Sequence, residues 1–300
     1  MANFTRGNFL STRKGHPSQQ KLGTGKKILI ADSGSTKTSW YFLQPGGKKQ
    51  FFQTEGINPF FRTTEDIEKE LSTRLVPQIK GTVDELFFYG AGIVNQQKAG
   101  GIRKALSALF PGAKTEVESD LLAAARATLG HKKGIACILG TGANSCFYDG
   151  KKITSHVPPL GFILGDEGSG AYLGRKLIAD YLKKIMPEEL SRRFHQNYPL
   201  EYSDFLNRVY KETRPNQFLA GFVPFLKENI EEAYCANLVK DAFERFISRN
   251  VELYLQCREI PVSFAGSVAF HFREILREVL LQKKLVPGFI IQEPLLNLLH

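Results

Sequence analysis

Two stretches of this chain share a pattern that limits what it can fold into. "ILIADSGSTKTSW", Ile28 to Trp40, and "GIACILGTGANSCFYDG", Gly134 to Gly150, each pass from apolar residues through small and polar ones and back again. Both read as a buried strand, a tight turn and a second strand. Helical periodicity fills the segments between them, so the expected class is α/β with two similar halves.

The remaining segments fit that scheme. Residues 27–31 and 39–43 read as the first strand pair, and 50–54 extends them to an antiparallel meander. "TTEDIEKELSTRLVPQIK" opens with Thr and acids and puts Ile67, Leu71 and Leu75 on one helical face. "ELFFYGAG" reads as a buried strand, 95–110 as a helix and 114–118 as another strand. Asp120 then opens an alanine-rich helix, "DLLAAARATLG", that Gly130 ends. From Gly168 to Gln256 the chain reads as largely helical, with a long segment from Glu231 free of Gly and Pro. A strand in "PVSFAG", a helix in "SVAFHFREILREVLLQKK" and a last strand in "GFIIQ" follow. The expected domains are 27–119 and 120–287, with 288–300 returning to the first.

With 300 residues and 42% hydrophobic content the chain can bury the cores of two moderate domains. No apolar run approaches the roughly 20 residues of a membrane span, and no secretory signal is legible. A soluble, cytoplasmic protein without a membrane partner is expected. The formal charge of +10 would suit nucleic acid, but Arg6, Arg13, Lys14, Lys21, Lys26 and Lys27 lie in the first 27 residues, which hold not a single acid. Residues 1–26 therefore read as a disordered basic leader, and no nucleic-acid partner is expected. Cys137, Cys146, Cys235 and Cys257 lack the C-x-x-C spacing of a zinc or iron–sulfur site and read as reduced, mostly buried residues.

The turns carry the chemistry. In the first, Gly34 lets backbone N–H groups approach a ligand, Ser33, Ser35, Thr36 and Thr38 offer hydroxyls, and Lys37 offers a charge. That is the inventory of a phosphate cradle. Asp32 repels phosphate but can hold a hydrated Mg²⁺ that bridges to it. An ordinary hairpin has the same composition, so this turn alone leaves both readings open. "GTGAN" repeats the glycines and the hydroxyl and adds the Asn144 amide. "GDEGSG" sets Asp166 and Glu167 among glycines at a helix start, where any helix favours acids. No G-x-x-x-x-G-K-[ST] occurs, and no G-x-G-x-x-G opens a helix after a strand. Phosphate binding here would use hairpins.

In order along the chain, "DSGSTKT", "GTGAN" and "FAGSV" resemble the two phosphate motifs and the adenosine motif of the actin-like ATPase and sugar kinase superfamily. Together with "EGINPFF", "YGAG", "DLLAAARA" and "GFILGDEGSG", the chain from Lys27 onward resembles the bacterial N-acetylglucosamine kinase branch, grouped with the BadF/BadG/BcrA/BcrD-type ATPases. The resemblance implies two ribonuclease-H-like domains with ATP and Mg²⁺ in the cleft between them. It implies Asp32 as the metal position, Gly34, Ser35, Thr36 and Lys37 as the first phosphate hairpin, and Thr141 and Gly142 as the second. Gly266 and Ser267 would border the adenosine. Asn58, Asn144, Asp166 and Glu167 would contact the sugar, and Asp120 would be the catalytic carboxylate, itself at the sugar. Many relatives carry an acid where this chain has Ser39, just after the first hairpin, a departure expected to affect strand position more than catalysis.

The activity implied is ATP-dependent phosphorylation of an amino sugar, N-acetylglucosamine giving its 6-phosphate, by a chain that could form a homodimer. Two other classes share the fold. One is the ATPase activator of a dehydratase or reductase, which the scattered cysteines disfavour; the other is a non-catalytic sugar or nucleotide sensor.

Overall fold

The computed structural model describes residues 25–34, 37–93 and 95–298. Its first sheet contains β1 (Ile28–Ser33), β2 (Lys37–Leu43), β3 (Lys49–Glu55), β4 (Glu85–Gly90) and β5 (Lys114–Ser119), in the order β3-β2-β1-β4-β5. β1, β2 and β3 form an antiparallel meander, and β4 and β5 add to β1 in parallel. The second sheet contains β6 (Gly134–Leu139), β7 (Ala143–Tyr148), β8 (Ile153–Val157), β9 (Pro261–Ala265) and β10 (Val286–Ile291). It repeats the plan, with β6, β7 and β8 as the meander and β9 and β10 joined in parallel to β6. This duplicated meander plus parallel pair is the ribonuclease-H-like α/β architecture expected from the sequence.

Helices α1 (Thr64–Arg74) and α2 (Gln96–Leu109) cover one face of the first sheet, where Ile67, Leu71, Ile102 and Leu106 pack on Leu29, Trp40, Phe42 and Phe88. Thr63 caps α1 in a reciprocal box with Asp66, and Pro77 ends the helix before the segment expected to continue it. Helix α3 (Asp120–Leu129) lies between the sheets. Its Ala123 packs on Ile28, Ile30 and Tyr89 of the first, and its Leu121, Leu122, Ala125 and Leu129 pack on Ala136, Cys146 and Tyr148 of the second. An alanine-rich sequence suits this place, because small side chains let sheets approach from both sides.

The outer face of the second sheet is covered by a helical region. It contains α4 (Gly161–Leu164), α5 (Gly170–Leu182), α6 (Glu188–Asn197), α7 (Tyr202–Tyr210), α8 (Pro215–Ala220), α9 (Val223–Glu228) and α10 (Ala233–Arg249). After β9 come α11 (Ser267–His271) and α12 (Arg273–Gln282), and after β10 comes α13 (Pro294–Leu298). Leu295 of α13 is buried against Ile28, Ile30 and Leu43, so the chain end reaches back to the first sheet.

Four features differ from the sequence reading. β1 continues through Ser33 and β2 starts at Lys37, so the first turn is tighter than 27–31 and 39–43 implied. The polar residues continue the ladder because Ser33 and Thr38 satisfy each other. The expected helix over "SVAFHFREILREVLLQKK" divides at Phe272, whose φ of −109° and ψ of 27° interrupt it. β8 was not expected, and the long helix from Glu231 ends at Arg249. All four cysteines are free and buried, and no described helix is long and apolar enough to cross a membrane. The expected leader falls almost wholly outside the described residues.

Candidate active site

Strand periodicity decides where Asp32 points. Ile28 and Ile30 face α3, whereas Leu29 and Ala31 face α1 and α2. Asp32, two residues past Ile30, is therefore on the α3 side, and α3 begins with Asp120. The charges record the meeting: burial pushes Asp32 up to about 7, the charges of Asp120 and Glu293 add to the rise, and Lys37 pulls against it. Burial likewise pushes Asp120 up to about 6, opposed by the backbone N–H groups of Leu121 and of Asp120 itself. Desolvation outweighs these donors, yet at about 6 the carboxylate stays mostly ionised at neutral pH. Ser119, whose Oγ accepts from the Leu122 N–H at 3.3 Å, is the helix cap.

Each sheet contributes one glycine turn beside this pair. The Gly34 N–H donates to the Lys37 carbonyl at 3.0 Å, and the Gly140 N–H donates to the Gly142 carbonyl at 3.0 Å. Ser35 and Thr36 lie outside the described residues. Ser33 and Thr38 are fully buried, with their hydroxyls 2.7 Å apart and bonded to the carbonyls of Ile57 and Glu55, so they brace the turn instead of lining a cradle. In the second turn the N–H groups of Thr141 and Gly142 have no partner among the described residues. A Cβ added at Gly140 would meet nothing within 4 Å. The carbonyls of Gly140 and Thr141 accept from Gly170 and Ala171 at 2.8 and 3.0 Å, which fixes this turn to the start of α5.

Gly266 borders the same turn. It has φ of 112°, its N–H donates to the Ile291 carbonyl at 3.0 Å, and a Cβ there would stand 2.4 Å from the Leu139 carbonyl. Only glycine fits. Ser267 follows as the first residue of α11.

The residues expected at a sugar fall in three places. Asn58 is buried beside the end of β1, because the N–H and carbonyl of Ile57 both bond Ser33 Oγ, at 2.8 and 3.2 Å. The "YGAG" loop meets it there: the Ala91 N–H donates to the Ser33 carbonyl at 2.8 Å, and a Cβ on Gly92 would stand 2.5 Å from Asn58 Oδ1. Asn144 precedes Cys146 by two residues on β7 and so shares the α3 face with it. Asp166 lies against the second turn. Its backbone is left-handed, with φ of 54°, its Oδ1 accepts from the Ala143 N–H at 3.1 Å, and burial pushes it up to about 6. Glu167 is also buried, but its carboxylate already pairs with Arg249 of α10, which sets it apart from the group around Asp120.

Four residues of this region were not singled out from sequence. Gly140 lies inside a quoted motif, whereas Glu293, His156 and Arg249 reach the region only through tertiary contacts. Ser39, the departure noted above, pairs directly opposite Asp32 across β1 and β2. An acid there would add a second carboxylate beside Asp32, so the serine bears on the expected metal position.

A structure from Porphyromonas gingivalis, named a candidate N-acetylglucosamine kinase, is 44% identical to this chain, covering 90% of it and 96% of its own length, with a TM-score of 0.86. The chain belongs to the N-acetylglucosamine kinase-like family. A protein of Chromobacterium violaceum with the same kind of name shares the fold at 17% identity and a TM-score of 0.70, over 88% of this chain and 94% of its own. A ROK family glucokinase from Streptomyces griseus, solved with glucose and AMPPNP, shares it at 15% identity and a TM-score of 0.51, over 89% and 93%. No family model and no curated protein matches the chain.

For this N-acetylglucosamine kinase-like chain the donor set fits Mg²⁺ carried on a polyphosphate. Asp32, Asp120 and Glu293 concentrate negative charge that Lys37 offsets only in part. Among the described residues no three His, Cys, Asp or Glu side chains could enclose a metal. Mg²⁺ suits such a place because it keeps several waters and takes one or two carboxylates along with phosphate oxygens. The open space at Gly140 and the unspent N–H groups beyond it fit the phosphates themselves.

Proposed function

We propose that this chain transfers the γ-phosphoryl group of ATP to an amino sugar, converting N-acetylglucosamine to its 6-phosphate. One observation carries the reading: the carboxylate that opens the helix between the sheets lies in the field of a second carboxylate, with a glycine turn from each sheet beside them. The name of the Porphyromonas gingivalis relative, at 44% identity, supports the sugar class.

Asp120 acts as the general base. It takes the proton from the sugar hydroxyl as that oxygen attacks phosphorus, and a carboxylate at about 6 is mostly ionised at neutral pH yet basic enough to help. Asp32 would hold Mg²⁺, which would supply positive charge to offset the charge that develops on the phosphate oxygens. The N–H groups of Thr141 and Gly142 orient the phosphates, with Gly34, Ser35, Thr36 and Lys37 as the first hairpin, while Gly266 and Ser267 border the adenosine. Asn58, Asn144 and Asp166 bind sugar hydroxyls. Glu167 acts with them through its ion pair to Arg249, which keeps the segment after Asp166 in place.

The test is sugar-dependent ADP release with Mg-ATP across glucose, glucosamine, N-acetylglucosamine and N-acetylmuramic acid. N-acetylglucosamine should give the highest kcat/KM, and Asp120→Asn should lower kcat at least about a hundredfold while leaving sugar binding intact. ADP release that ignores the sugar, or an Asp120→Asn variant with normal turnover, would contradict the assignment.

A further inference from the structure

Asn144 Oδ1 accepts the N–H of Ser145 at 2.9 Å and lies 2.8 Å from His156 Nε2. The first bond decides the second. A backbone N–H can only donate, so the atom it reaches must be the amide oxygen, and His156 Nε2 must then be a donor too. The amide of Asn144 is thereby fixed, with its Nδ2 turned away from both partners. That nitrogen donates to nothing among the described residues.

The placement puts this amide on the sheet face that meets α3. His156 pairs across the strands with Cys146, and residues that pair across strands share a face. Cys146 packs on α3. Burial pushes its thiol up to about 12, the Ala136 backbone opposes this, and the Asp120 charge adds to it. Asn144 and His156 therefore share the sheet face that Cys146 turns toward α3, with His156 exposed on the edge strand β8. His156 is exposed on β8, yet partial desolvation against the sheet still lowers it, which favours the neutral ring. A neutral imidazole carries one N–H, and the Asn144 oxygen holds it on Nε2.

We propose that His156 is a positioning residue that locks the Asn144 amide with both Nδ2 protons free for an oxygen of the sugar. The role rests on the amino-sugar kinase reading above and adds to it a residue outside the recognised motifs. An amide free to flip would present its oxygen to the sugar for part of the time, replacing a donor with an acceptor. Locking it removes that wrong state.

Two variants test the role. His156→Leu removes the donor, whereas His156→Gln restores an N–H at a similar reach. Sugar KM should rise about tenfold in His156→Leu, equivalent to about 1.4 kcal/mol, and should return to near the wild-type value in His156→Gln. The kcat and the ATP KM should not change in either. A purely structural residue would instead lower thermal stability and shift all three constants together, and the glutamine would rescue nothing; that result would overturn the proposal. A second readout needs no turnover: nitrogen-detected NMR of the free protein should find the His156 proton on Nε2, and a proton on Nδ1 alone would also overturn it. Wild-type protein that phosphorylates none of the sugars would sink the kinase reading, and this proposal with it. Turnover with an unchanged sugar KM in His156→Leu would sink this proposal alone.

Discussion

Asp32 is held where ionisation is unfavourable, and that has a measurable consequence for stability. Its folded-state value of about 7 lies above the ordinary 3.8 of an aspartate, so the folded protein binds a proton more tightly than the unfolded chain. Below about pH 3 both states are protonated and the group is neutral to stability. As pH rises toward 7 the unfolded chain loses its proton first, stability falls, and above 7 the full penalty remains. Asp32→Asn should therefore be more stable than the wild type at pH 8, by on the order of 2 kcal/mol, and equal to it near pH 3. Thermal melts at the two pH values check this, and an Asp32→Asn protein less stable at pH 8 would refute it. Mg-nucleotide should raise the wild-type melting temperature at pH 8 and leave that of Asp32→Asn almost unmoved. The same reasoning applies to turnover, since a base at about 6 makes kcat/KM rise with pH through that value.

At the scale of elements, two glycines of neighbouring turns should respond in opposite ways. Gly266→Ala forces a Cβ to 2.4 Å from a backbone carbonyl at φ of 112° and should destabilise the fold by about 3 kcal/mol, read by denaturant melts. Gly140→Ala adds a methyl with nothing within 4 Å, so it should fold normally yet raise the ATP KM about tenfold if phosphate approaches there. These turns were legible in the sequence because strand periodicity and glycine clusters are local signals. β8 was not, because its span presents two apolar residues, Ile153 and Val157, with exposed polar residues between them. The break between α11 and α12 was hidden for the opposite reason. Val268, Phe272, Leu276 and Val279 keep helical spacing across it, since buried Phe272 serves the core on both sides of the kink. Asp32, Asp120 and the glycines could be named from motifs; His156, Glu293 and Arg249 could not, because cross-strand and cross-lobe contacts leave no local pattern.

The molecule as a whole joins its two sheets twice. α3 packs between them and presents Asp120 at its first turn, so the proposed base belongs to both lobes. The chain then returns from β10 through Glu293 to α13, where Leu295 fills the core on the α3 side of the first sheet. Leu295→Ala should remove about 3 kcal/mol of stability, seen as a lower denaturant midpoint, while the cold, folded protein keeps its turnover. Turnover that fell as far as stability would mean that α13 shapes the site directly. The central claim concerns the bond that forms, and product analysis tests it most directly. Incubation with Mg-ATP and N-acetylglucosamine, followed by proton–phosphorus correlation NMR, should give one sugar phosphate whose phosphorus couples to the protons on carbon 6. ADP accumulating with no sugar phosphate formed, or phosphorus bonded through a different sugar oxygen, would contradict the account.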